Sequence, residues 1–162
     1  NSTGYSARVN FDGLLVYEGG DRSSSYTQLF RNGVVEAVRS GLVVRQEQAR
    51  WLPAGRFEKW LLSSASAYLN GLRQLAVAPP ISARVTLTKI RGSIVHLGDY
   101  RYDSSFAEQS YDRLDFPTVL IEEYGEPADH MRALKPVCDA IWNAGGRFAS
   151  ANFDADGVWK EP

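Results

Sequence analysis

The chain has 162 residues, 44% of them hydrophobic and 23% charged, with a formal net charge of −1 and a pI of about 6.2. This is the composition and size of one globular domain and excludes a disordered or low-complexity chain. The near-neutral balance supplies no electrostatic pull toward nucleic acid or an anionic membrane. No apolar run approaches the ~20 residues of a membrane-spanning helix, and the single cysteine, Cys138, excludes an intrachain disulfide.

The first residues, Asn1-Ser2-Thr3-Gly4, include neither an initiator Met nor a signal peptide, as expected of the C-terminal piece of a longer cytoplasmic protein. Ala7 to Glu18 reads as a strand with Val9, Phe11, Leu14, Val16 and Tyr17 as its apolar members. Asp12-Gly13 interrupts the alternation and predicts a bulge or tight turn. A polar loop follows over Gly19 to Ser25. Tyr26 to Val38 then carries two apolar runs on either side of Asn32-Gly33, the dipeptide suited to a two-residue type I′ hairpin turn. Gly41 to Val44 extends this hairpin or starts a short third strand.

Pro53 to Ala76 reads as the longest helix, with Phe57, Trp60, Leu61, Ser64, Tyr68, Leu69, Leu72 and Leu75 on one face. Pro53 fits its first turn, Gly71 weakens its last turns, and Pro79-Pro80 ends it. Ala83 to Leu97 is β-rich, with a bend at Arg91-Gly92. Asp99 to Asp115 has no clear period and reads as a long loop rich in Tyr, Asp, Ser and Arg. Phe116 to Tyr124 is a further strand in which Val119 and Ile121 alternate. Pro127 to Ala144 is a second helix with Met131, Leu134, Cys138, Ile141 and Trp142 on one face. The acidic Glu122, Glu123 and Glu126 precede its positive end. Pro136 predicts a kink or two short helices, Gly145-Gly146 a stop, and Arg147 to Trp159 a final strand or turn. The order predicts an α+β two-layer sandwich within one domain spanning residues 1–162, with a mainly antiparallel sheet and two amphipathic helices on one face.

Chemistry-bearing motifs are sparse. Asn152-Phe153-Asp154-Ala155-Asp156-Gly157 matches the first six positions of an EF-hand loop. No entering helix runs into it, however, and the twelfth-position Glu would fall beyond Pro162, so it reads as an acidic turn. His96 and His130 are not at metal-ligand spacing from each other or from Cys138, which lies on an apolar helix face. No GxSxG, Walker or GxGxxG motif occurs. Glu122 and Glu123 are adjacent in a strand and so point to opposite faces. No catalytic residue, metal or cofactor is assigned. Tyr100, Arg101, Tyr102, Tyr111 and Arg113, with Arg31 from the hairpin, form the candidate contact set, because Tyr and Arg serve both stacking and protein interfaces.

Three stretches carry a family resemblance. They are Ala7 to Leu15 (ARVNFDGLL), Tyr26 to Val38, and Ala140 to Gly146 (AIWNAGG) together with Asn152-Phe153-Asp154 and Gly157-Val158-Trp159. They resemble the C-terminal region of bacterial proteins that carry an N-terminal AlbA-type, Schlafen-like DNA-binding domain, described as ATP-binding or helix-turn-helix transcriptional regulators. The resemblance implies a non-catalytic accessory domain that senses a ligand or self-associates as a homodimer. Nucleic acid would be met by the N-terminal domain. Two alternatives stand beside it. One is direct nucleic-acid contact through Arg31, Arg91, Arg101 and Arg113 with the loop tyrosines. The other is a small-molecule enzyme with His96, Glu122 and Tyr100 around a cleft.

Overall fold

A computed structural model describes residues 4–19, 23–98 and 108–161. The fold is α+β, with two helices and mainly antiparallel strands among the described residues. The chain divides into two compact units, Asn1–Leu42 and Val43–Pro162.

The first unit is a four-stranded antiparallel meander in the order β1 (Tyr5–Val9), β2 (Gly13–Glu18), β3 (Ser25–Phe30), β4 (Val35–Arg39). The expected single strand over Ala7 to Glu18 is a hairpin folded at the Asp12-Gly13 interruption. The Asn10 amide donates to the Gly13 carbonyl at 2.8 Å, and the Asn10 side-chain oxygen accepts from the Gly13 amide at 2.8 Å. Only glycine fits position 13. Its φ is +149°, and a Cβ there would lie 2.0 Å from the Leu29 carbonyl oxygen.

The second hairpin falls where Asn32-Gly33 predicts it, but its loop is one residue longer than the expected two-residue turn. The Gly33 amide donates to the Phe30 carbonyl at 3.0 Å, and the Phe30 amide to the Val34 carbonyl at 2.8 Å. Gly33 alone takes a positive φ, +84°, while Asn32 uses its side-chain oxygen to accept from the Val34 amide at 3.1 Å. An Asn that accepts from the backbone two residues ahead holds an Asx turn, and the glycine after it absorbs the left-handed step.

In the second unit β5 (Val44–Gln46) and β6 (Ala49–Pro53) form a hairpin, and β6 pairs in parallel with β9 (Ser93–His96). A parallel pair needs a crossover, and α1 (Ala54–Gln74) supplies it. Pro53 closes β6 and serves as the N-cap of α1, just before the first turn. The β-rich stretch is broken into β7 (Ile81–Ala83), β8 (Thr86–Thr88) and β9. The bend before β9 is carried by Lys89 and Gly92, both with positive φ. β8 pairs with β10 (Arg113–Asp115), so the end of the expected loop Asp99 to Asp115 is a strand. β7 pairs with β11 (Val119–Ile121), which is shorter than the predicted strand.

α2 (Pro127–Ala144) matches its predicted bounds and runs unbroken through Pro136, so the two-short-helices expectation fails. Pro136 lies on the exposed side, where water can take the backbone carbonyl that the missing amide would have served. A capping box joins Glu126 and Asp129 at the start, and Gly146, with φ +81°, ends the helix.

The helices pack on each other, α1 also on β6 and α2 on β9 and β11. Leu52, Ile90, Leu134, Val137, Cys138 and Ile141 are fully buried between them. The buried stripe of α1 is Ala54, Phe57, Glu58, Leu62, Leu69 and Leu72. It is rotated by about one position from the predicted face, so Trp60 and Leu61 are half-buried; Leu75, the C-cap beyond the last helical residue, is exposed.

Candidate functional site

The meander of the first unit has two chemically unlike faces. Directly paired residues of an antiparallel sheet share a face. One face therefore carries the row Val9, Leu14, Leu29, Val35 and beside it the row Ala7, Val16, Thr27, Ala37. At the sheet end follow the pairs Tyr5↔Glu18 and Ser25↔Arg39. The first eight side chains include no charge. The opposite face mixes Leu15, Phe30 and Val38 with polar side chains that bond to one another: Tyr26 donates to Glu36 at 2.7 Å, Asn10 to Gln28 at 2.9 Å, and the Arg8 guanidinium lies over the Tyr17 ring at 5.7 Å. Glu36 raises the Tyr26 hydroxyl pKa by accepting its proton in that bond, with burial adding to the effect.

An antiparallel sheet ordinarily buries one of its faces in a core. The described residues of the first unit form that single sheet and supply no second layer of their own to cover the face of the two rows. Val9 is 76% exposed, Tyr5 74%, and no side chain of the two apolar rows is buried.

Of the sequence-predicted contact residues, Arg31 stitches the two hairpin tips together. Its Nε donates to the Phe11 carbonyl at 2.9 Å and its amide to the Asp12 carbonyl at 2.9 Å. Phe11, Asp12, Phe30, Arg31 and Asn32 line an open hollow of about 430 Å³, and Phe11 is 91% exposed above it. In the second unit Arg113 forms a bidentate pair with Asp115 at 2.8–2.9 Å. Asp115 also accepts from the Thr86 hydroxyl at 2.8 Å, and these donors hold its carboxyl below the usual carboxylate range. Tyr111 is exposed nearby in sequence. Tyr100, Arg101 and Tyr102 lie outside the described residues.

The residues proposed for an enzyme have other surroundings. The His96 ring meets Trp51 edge-on at 5.7 Å, and Glu122 is exposed after β11. His130 is buried and bonded to the Ser66 hydroxyl at 3.2 Å and to the Tyr124 carbonyl. Burial, reinforced by the Glu58 and Asp139 carboxylates, pushes the Cys138 thiol pKa far up, as suits an inert core thiol. Among the described residues no group of three or more His, Cys, Asp or Glu is placed to hold a metal. The Asn152 to Gly157 segment is a turn: Asp154 accepts the amides of Asp156 at 3.1 Å and Val158 at 2.9 Å and pairs with Lys160 at 3.1 Å.

The group that sequence reasoning missed is Glu58. It is fully buried, and its carboxylate accepts from the Trp142 indole at 2.8 Å, the Asn152 amide at 2.6 Å and the Trp159 indole at 3.0 Å. Three words of the C-terminal signature, AIWN, NFD and GVW, thus meet on one carboxylate of α1. The Ser150 amide donates to Asp139 at 3.0 Å, and Lys59 pairs with Glu161, so the segment after α2 is tied down along its length. The signal in the sequence was spacing. Glu58 stands four residues from both Ala54 and Leu62, on the stripe the helix buries.

No protein-family model, curated protein or solved structure matches this chain.

Proposed function

We propose that this chain is a non-catalytic accessory domain of a bacterial transcriptional regulator, and that it acts by self-association in the cytoplasm while an N-terminal domain of the same protein meets nucleic acid. The observation that carries the reading is the apolar face of the meander, for which the described residues of the first unit supply no second layer. Eight uncharged side chains in two rows on one face are what a sheet presents to a partner. The buried Glu58 supports a non-catalytic reading, because its oxygens are engaged by three internal donors and hold the chain's own C-terminal segment. Arg113 and Arg31 are likewise engaged, with Asp115 and the Phe11 carbonyl, which weakens the case for direct phosphate contact. No helix among the described residues is long and apolar enough to cross a membrane.

Light scattering of the purified chain from low micromolar to near-millimolar concentration tests the proposal. A mass that rises from one to two chains is the expected outcome. A single-chain mass throughout, joined to unchanged assembly of the longer regulator when this domain is deleted, would overturn it.

A further inference from the structure

The geometry points to Asn32, in the loop between β3 and β4, as a site of spontaneous modification: deamidation to aspartate and isoaspartate through a cyclic imide. The reaction is intramolecular and requires no enzyme, ligand or partner.

The chemistry asks for an asparagine whose following backbone nitrogen can reach its own side-chain carbonyl carbon. A following residue without a β-carbon hinders that approach least. Two places qualify, Asn32-Gly33 and Asn70-Gly71, whereas Asn1, Asn10, Asn143 and Asn152 are followed by Ser, Phe, Ala and Phe. Sequence alone ranks the two equally, and the structure separates them.

Ring closure requires the peptide between the two residues to rotate. Asn70-Gly71 lies within α1, where the Gly71 amide serves the carbonyl four residues back and the Asn70 carbonyl accepts from four residues ahead. Rotation there breaks the ladder in both directions. The end of the helix is also pinned. The Leu75 and Val77 amides donate to the Gly71 and Leu72 carbonyls at 3.1 Å, and Leu69 and Leu72 are buried in the core.

Asn32-Gly33 lies outside any helix or strand. The Gly33 amide makes a single turn bond, to the Phe30 carbonyl at 3.0 Å. Gly33, at φ +84°, can counter-rotate so that the flanking strands stay in place. The Val34 amide donates to the Asn32 side-chain oxygen at 3.1 Å, the atom on which negative charge gathers as the nitrogen attacks.

In the reaction the Gly33 nitrogen gives its proton to solvent base and bonds to Asn32 Cγ. The side-chain nitrogen leaves as ammonia, closing a succinimide. Water then opens the ring at either carbonyl, giving aspartate or isoaspartate. Isoaspartate routes the backbone through Cβ and lengthens the loop by one atom. The bond from the Phe30 amide to the Val34 carbonyl, 2.8 Å, and the pairing of Leu29 with Val35 are thereby disturbed. Either product places a new carboxylate beside Arg31, whose Nε ties the two hairpin tips together through the Phe11 carbonyl.

The test incubates the full chain in mildly alkaline buffer, folded and in guanidinium chloride, and follows the asparagine-to-aspartate mass gain at each site by peptide mapping. In the folded chain Asn32 converts about tenfold or more faster than Asn70, because the helix must open first, and in denaturant the two rates agree within about threefold. A folded-state ratio below about tenfold, no conversion of Asn32 in the folded chain, or the same ratio in denaturant would overturn the assignment.

Discussion

Glu58 shows how one side chain can account for three separated sequence words. Its carboxylate is wholly withdrawn from water, and the two indoles and one amide that face it are its compensation. Removing the acceptor strands the donors. Glu58→Ala is expected to destabilise the protein by about 3 kcal/mol or more, and Trp159→Phe, which removes one donor, by about 1–2 kcal/mol, both read from urea unfolding. Backbone positions make a second pair. Gly13→Ala drives a Cβ into the Leu29 carbonyl and costs about 1–3 kcal/mol. Gly71→Ala meets nothing within 4 Å inside α1 and stabilises by about 0.5–1 kcal/mol in the same assay.

At the scale of elements, residue pattern alone locates most of the structure. Pro127 to Ala144 is legible to the residue because a proline, a capping acid and a glycine pair bracket it. The Asn32-Gly33 hairpin is legible as a hairpin but not in its loop length, which depends on whether Asn32 turns its side chain toward its own backbone. The face of α1 is read one position off because a glutamate counts as solvent-facing until its partners, 84 to 101 residues away in sequence, are known. Arg113 looks available in sequence, and only the strand pairing of β10 with β8 brings Thr86 alongside Asp115 to complete the engaged cluster.

Acid acts at this scale too. The Asp154 turn and the Asp129 cap hold their carboxyls below the usual range, chiefly through the amides of Val158 and Glu126 respectively. Arg113 does the same for Asp115. A depressed folded-state pKa adds stability that is present above the unfolded value of ~3.9 and is lost as pH falls through the folded value. The melting temperature is therefore expected to be insensitive to these three groups between pH 5 and 8 and to drop below about pH 4. Asp154→Asn should make that acid-side drop shallower.

For the whole molecule, the second unit has a core and a pinned C-terminal segment, whereas the meander's apolar side chains are left half-buried or exposed. The alternation along β1 and β2 is visible in sequence, yet nothing in it says whether the chain itself will cover that face. Within the first unit the described residues supply no second layer for that face, while the polar groups of the other face bond to one another. The account depends on this asymmetry, and methyl NMR over a dilution series tests it most directly. The methyls of Val9, Leu14, Val16, Leu29 and Val35 should shift with concentration, while those of Leu15 and Val38 on the other face stay fixed. Shifts confined to Leu15 and Val38, or no shift in any of the seven, would contradict it.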